Sequence, residues 1–110
     1  MGETLYDTNV LIDLYRQGVR ELRGFTTALN VVEYPKILSI KKLRVIYPEI
    51  EDYELAAMIS KDLYKAGKPV PALDIVIAAV AINRRLILVT KNHHFKCIKE
   101  IRRDLLLEIT

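Results

Sequence analysis

Asp7, Glu33 and Asp74 are the residues of this chain best suited to chemistry, because each carboxylate borders a strongly apolar stretch: LYDTNVLID, TTALNVVEY and VPALDIVIAA. A carboxylate in such a setting is costly unless it has a partner. Brought together, the three would form a hard, oxygen-rich site suited to Mg²⁺ or Mn²⁺. Two such groups about 4 Å apart repel by roughly 4 kcal/mol at an effective dielectric near 20. A cluster therefore needs a cation or a shared proton to persist, and metal-dependent chemistry is the expectation.

Each acid also has a local reading. Asp7 can cap a following helix, with Thr8 or Asn9 as rivals. Asn30-x-x-Glu33 matches a capping box, in which Glu33 would bond back to the Asn30 backbone. Asp74 falls in the first turn of a helix, where the helix dipole favours negative charge. Asp13 lies one turn beyond Asn9 and reads as structural support. Thr90 and Asn92 follow a buried strand and can hydrogen-bond an acid, a water or a phosphate, or simply make the turn. His93 and His94 are adjacent and lack a partner cluster, which is poor evidence for zinc. No glycine-rich phosphate loop or serine-centred nucleophile motif is present.

The elements that must position these groups alternate between strand and helix. Leu5-Tyr6 reads as a short buried strand ending at Asp7, and residues 8–17 carry Val10, Leu11, Leu14 and Tyr15 at helical spacing. Phe25 to Ala28 reads as a second strand. Asn30 is expected to cap a helix carrying Val31, Val32, Ile37 and Leu38, with Pro35 in its first turns. A β-branched segment from Leu43 to Tyr47 closes at Pro48, and residues 49–66 form an amphipathic helix stopped by Gly67. Pro71 opens a helix over 72–83 that is apolar nearly all round, and therefore buried. Leu86 to Val89 is a strand of parallel-sheet type, followed by a polar turn, a short helix near 93–100 and a last strand over 104–109. The alternation predicts an α/β fold, a three-layer α/β/α sandwich around a central, mainly parallel sheet. Open sheets of this kind place ligands at the carboxyl ends of their strands. Asp7 and the Thr90–Asn92 turn should then face one crevice.

Composition bounds the answer further. The 110 residues suit a single domain, 1–110, and 51% hydrophobic content can build a core without disulfides. The lone Cys97 and a start with no basic flank or long apolar run fit a reducing, cytoplasmic setting with no secretory signal. No apolar run approaches the ~20 residues needed to span a bilayer. Net charge is +3, with the cations spread after the acids and through the C-terminal third. A basic surface around an acidic pocket favours a phosphate-backbone substrate, although an ordinary solvated surface would look the same.

At these residues the chain resembles the PIN-domain family, in particular the small VapC-type ribonuclease toxins of prokaryotic toxin–antitoxin systems. LYDTNVLIDLYR, TTALNVVEY and KPVPALDIVIAAVAINRRLILVTKNHHF carry the likeness, in that order and across most of the chain. The resemblance implies that Asp7, Glu33 and Asp74 hold a divalent metal, and that Thr90 and Asn92 form the family's threonine-x-acid turn. It implies an RNA substrate, a cognate antitoxin that blocks the site, and a homodimer. Two departures stand out. Asn92 replaces the fourth aspartate of many relatives, and the stretch between Glu33 and Asp74 is short.

The expected activity is metal-dependent hydrolysis of single-stranded RNA by an endoribonuclease using Mg²⁺ or Mn²⁺. Asp7 and Asp74 would ligate the metal, with Glu33 binding directly or through water. Asn92 completes the catalytic set, Thr90 and Asn9 support it, and Lys91 and Lys96 are candidates to hold the RNA backbone. Two alternatives stay open. A catalytically degenerate PIN module would bind RNA or a partner protein without cleavage. A phosphoacceptor receiver domain also uses strand-end acids with Thr and Lys, but on separate strands, whereas Thr90 and Lys91 are adjacent.

Overall fold

The computed structural model describes residues 3–110. Five strands form one sheet, every pairing parallel, in the order β3-β2-β1-β4-β5. β1 is Thr4–Tyr6, β2 Glu21–Thr27, β3 Lys41–Ile46, β4 Ile87–Thr90 and β5 Leu106–Ile109. The helices are α1 (Thr8–Arg16), α2 (Ala28–Glu33), α3 (Ile50–Lys65), α4 (Ala72–Arg84) and α5 (His94–Ile101), with a 3-10 turn at Pro35–Ser39. Parallel neighbours need crossovers, and their right-handed sense puts helices on both faces of the sheet.

Alternating side chains divide the core accordingly. Leu5 and Leu88 join Ile59 and Leu63 of α3, the buried face of α4, and Phe95 and Ile98 of α5. On the opposite face, Leu11 of α1 packs with Ile37 and Ile40, and Tyr6, Leu22 and Leu43 lie against them. Helix α4 buries Ile75 and every residue from Ile77 to Ile82, as its all-round apolar sequence requires. It is sandwiched between the sheet and α3, and its first turn arrives at the carboxyl ends of the strands.

The chain runs outward from β1 through β2 to β3, then returns to the other side of β1 for β4 and β5. The order therefore reverses between β1 and β4, and the residues that follow these strands flank the resulting crevice. Asp7 follows β1 and Thr90 ends β4. This order also differs from the 2-1-3-4-5 arrangement of receiver domains. With Thr90 and Lys91 adjacent, the phosphoacceptor alternative is set aside.

Three expectations about the second strand and helix need correction. β2 begins at Glu21 rather than Phe25 and ends at Thr27. Asn30 is not an N-cap. Thr27 caps α2, its hydroxyl and the Asn30 side chain completing a reciprocal box. The helix stops at Glu33, and Pro35 opens the separate 3-10 turn. A proline cannot continue the hydrogen-bond ladder of a preceding helix, which accounts for the break.

Gly24 is a point of close approach between β2 and β1. A Cβ there would lie 2.7 Å from the Tyr6 ring and 3.1 Å from the Thr4 carbonyl oxygen, at a φ of +151°. Gly24→Ala is accordingly expected to lower unfolding free energy by about 1–3 kcal/mol. Urea denaturation checks this, and a change within error would show that the strands can part without loss.

Candidate active site

Asp7 occupies the N-cap of α1 and is 5% exposed. Its backbone N–H donates to the Val89 carbonyl at 3.0 Å, which fixes it at the end of β1 beside β4. Both carboxylate oxygens are held. Oδ1 accepts from the Thr8 N–H at 2.9 Å and from Asn30 Nδ2 at 3.0 Å, and Oδ2 accepts from the Thr90 hydroxyl at 2.7 Å. Capping and site placement are thus one arrangement rather than rivals. Each oxygen keeps lone-pair capacity toward the crevice, since a carboxylate offers about four acceptor sites.

Asp74 enters from α4, its side chain 15% exposed. Its Oδ2 accepts from Asn92 Nδ2 at 3.1 Å and lies 3.5 Å from His94 Nδ1. Burial first, and then the negative charge of Asp7, push the Asp74 carboxyl above the usual carboxylate range. The hydrogen bonds to His94 and Asn92 pull the other way without cancelling the rise. The Asp7 charge is thus the second cause of that rise, after burial.

The turn after β4 is tightly built. Asn92 N–H donates to the Thr90 hydroxyl at 2.9 Å, and Asn92 Oδ1 accepts from His94 N–H at 2.9 Å. That leaves the Asn92 amide nitrogen aimed at Asp74. An aspartate could not donate there when ionised, so asparagine at this position relieves charge that an acid would add. Asn9 Oδ1 accepts from the Lys91 N–H at 3.3 Å, tying α1 to the same turn.

Glu33 is exposed, and its Oε1 accepts from the Thr8 hydroxyl at 2.6 Å. The capping-box bond expected of it is absent, because the box belongs to Thr27 and Asn30. Thr8 in turn accepts from Asn30 Nδ2 at 2.7 Å. A chain of hydrogen bonds thus runs from Glu33 through Thr8 and Asn30 to Asp7. Asn30 is 0% exposed, and its Oδ1 accepts from both the Thr27 N–H and the Thr27 hydroxyl. Sequence reading missed Thr8 and Asn30 as parts of the site. The signal in the sequence is Thr27-x-x-Asn30, which has capping-box spacing three residues before Asn30-x-x-Glu33.

Replacing Asn30 by leucine would strand the Thr27 and Thr8 groups it joins. Asn30→Leu should lower stability by about 1–3 kcal/mol and release Asp7 from one of its donors. Thermal unfolding checks the first effect. A Tm equal to wild type would show that the network is dispensable.

The basic candidates fare differently. Lys91 is ion-paired with Asp13, so its ammonium is engaged at the crevice rim. Lys96 is exposed on α5. His93 caps α5 through its backbone position alone.

Among the described residues, no three Asp, Glu, His or Cys side chains lie close enough together to hold a metal ion by themselves. The three acids are therefore not gathered into one preformed cage. The donor set nonetheless fits Mg²⁺ or Mn²⁺. Mg²⁺ is typically bound through one or two carboxylates, keeps several waters and takes the rest of its ligands from substrate phosphates. Asp7 and Asp74 are the carboxylates that could supply such a pair, and a cation there would relieve the repulsion between them.

Comparison with solved structures finds the same fold in toxin–antitoxin complexes. The DNA-bound VapBC of Salmonella typhimurium is 21% identical over 99% of this chain and 98% of that chain, with a TM-score of 0.78. VapBC-5 of Mycobacterium tuberculosis is 20% identical over 96% of this chain and 95% of that one, at 0.72. VapBC2 of Rickettsia felis, bound to a promoter DNA fragment, is 21% identical over 96% and 97%, at 0.70. No family model and no curated protein matches the chain. At such identities the likeness is one of fold. The chain is a five-stranded, all-parallel α/β/α sandwich with the PIN-like fold found in VapBC toxin–antitoxin structures.

Proposed function

We propose that this chain is a divalent-metal-dependent endoribonuclease, the toxin of a toxin–antitoxin pair. The observation that carries the reading is the placement of buried Asp7 and part-buried Asp74 at the strand-order reversal, with the Asp74 carboxyl pushed up by burial and by Asp7. The fold shared with VapBC structures supports the same reading.

Asp7 and Asp74 would hold Mg²⁺ or Mn²⁺, with Glu33 reaching it directly or through a water. A bound cation supplies Lewis-acid activation of water and charge neutralisation at the scissile phosphate. The chain itself orients and excludes. Thr90, Asn30 and the Thr8 N–H fix both oxygens of Asp7, Asn92 fixes Asp74, and Asn9 locks the turn that carries Thr90 and Asn92. Lys96 would steer the RNA backbone, and Lys91 would do so after exchanging Asp13 for a phosphate. No helix among the described residues is long and apolar enough to cross a membrane. A cognate antitoxin covering the crevice, a homodimer and a cytoplasmic setting complete the proposal.

The test is cleavage of a mixed single-stranded RNA pool with Mn²⁺, Mg²⁺ or EDTA. Metal-dependent cutting is expected. A second reading, a PIN module that binds without cleaving, is favoured by one observation: Asn92 brings an amide where an acid would add a third charge beside Asp74. Binding of RNA with no cleavage in either metal would select it.

A further inference from the structure

We infer that the opposite end of the sheet carries a second nucleic-acid contact, a pocket for the phosphodiester backbone of single-stranded RNA. A cavity of about 420 Å³ lies over the start of β1 and the middle of β2 and β3, walled by Arg23, Lys42 and Arg44. Gly24 and the half-buried Phe25 also line it, and Glu3 is its one acid. None of these residues belongs to the crevice that holds Asp7 and Asp74.

The backbone is shaped to present the cations. Glu21 pairs with Lys41 and Gly24 with Leu43, so β2 holds one extra residue across this interval. Such a bulge re-aims side chains and bends the strand locally. Lys42, opposite the bulge, sits at a φ of +69° and Gly24 at +151°. A left-handed lysine inside a strand is strained, and strain of this kind concentrates at ligand clamps. The register Phe25↔Arg44 places Arg44 and Phe25 on one face, and Arg23 lines the same cavity from the bulge.

Lys42 is held by Glu21 at 3.0 Å, whereas Arg23 and Arg44 have no hydrogen-bond or ion-pair partner among the described side chains. Two unpaired guanidinium forks beside a cavity match phosphate oxygens in geometry as well as charge. Phe25 offers an apolar floor for sugar or base. β3 is the sheet edge, so among the described residues no further strand covers that side. Thr4 opens β1 and Asp7 directly follows its end, three residues on, about 10 Å at strand spacing. One short RNA can therefore reach both pocket and crevice.

The choice of RNA over another polyanion rests on the proposed function, so binding is measured apart from cleavage. A labelled single-stranded oligoribonucleotide is titrated in EDTA, by fluorescence anisotropy, at several salt concentrations. Arg23→Glu/Arg44→Glu should bind at least tenfold more weakly at low salt. Its log–log salt slope should be shallower by about 1.4, two contacts at roughly 0.7 each. Lys61→Glu/Lys65→Glu, the same charge change on exposed α3, should leave both nearly unchanged. Equal losses in the two variants, or none in the first, would overturn the pocket. Displacement of the RNA by poly-glutamate of equal charge as readily as by unlabelled RNA would also overturn it, in favour of an acidic protein partner. Cleavage tests alone decide the nuclease reading, so either conclusion can fail without the other.

Discussion

Asp74→Asn is expected to lower metal-dependent RNA cleavage by roughly two to three orders of magnitude while making the metal-free protein more stable. The substitution keeps the shape of the side chain and an oxygen to accept from Asn92, but removes the anion that burial and Asp7 disfavour. The direction of the pH effect follows. A carboxyl whose folded pKa is raised contributes stability that is present below its ordinary value of 3.8 and lost as pH rises through the raised value. Wild type therefore loses this contribution on the way to neutral pH and the variant does not. In EDTA near pH 7, Asp74→Asn should be more stable by on the order of 1 kcal/mol, the gap closing in acid. Saturating Mg²⁺ or Mn²⁺ should stabilise wild type by mass action and leave the variant unmoved. A variant that cleaves normally, or that is less stable in EDTA at neutral pH, would remove Asp74 from the site.

The largest stability loss is expected at Asp52, far from the crevice. This carboxylate is 1% exposed at the start of α3, and it accepts from Arg84 at 2.9 and 3.0 Å, from Asn83 Nδ2 at 2.9 Å and from the Glu49 N–H at 2.8 Å. Burial alone would raise its pKa. Arg84, the Glu49 N–H and Asn83 together outweigh that and hold it below the ordinary carboxylate value. The cluster ties the start of α3 to the end of α4, and α4 carries Asp74 at its other end. Asp52→Ala leaves Asn83 Nδ2 without its acceptor and Arg84 with only the Val80 carbonyl and the exposed Glu49. Breaking a buried pair typically costs about 3–5 kcal/mol, and the partial exposure of Arg84 places this case near the lower figure. A fall in Tm of roughly 10 °C or more follows. Because the folded pKa is depressed, the stabilisation is present above about pH 3.8 and lost as pH falls below it. The difference between wild type and variant should therefore shrink in acid. A Tm within 2 °C or so of wild type would show that α3 and α4 are held by apolar packing alone.

The architecture was legible where apolar runs are long or punctuated. The all-round apolar sequence of α4 marked a buried helix, and Gly67, at a φ of +69°, marked the end of α3. Asp7 and the Thr90–Asn92 turn could be placed at one crevice because both directly follow strands. β2 was legible only in its second half. Its first half alternates Glu21, Leu22 and Arg23 and then meets Gly24, and glycine inside a strand usually reads as a break. Here it marks a bulge instead. The helix after β2 was shifted because two overlapping capping patterns compete in TTALNVVE, and spacing alone does not rank them. Links between distant residues were not legible at all. Thr8 to Glu33, Asn30 to Asp7 and Asn83 to Asp52 join positions 23 to 31 residues apart, and only the strand order and the packing of α3 on α4 bring them into contact.

The central claim is that Asp7 and Asp74 together hold one divalent cation. Titration of Mn²⁺ into wild type, Asp74→Asn and Asp7→Asn, followed by electron paramagnetic resonance of the free ion, tests it without any substrate. One saturable site in wild type, weakened at least tenfold in each variant, is the predicted result. Equal Mn²⁺ binding by all three proteins, or none by folded wild type, would contradict it.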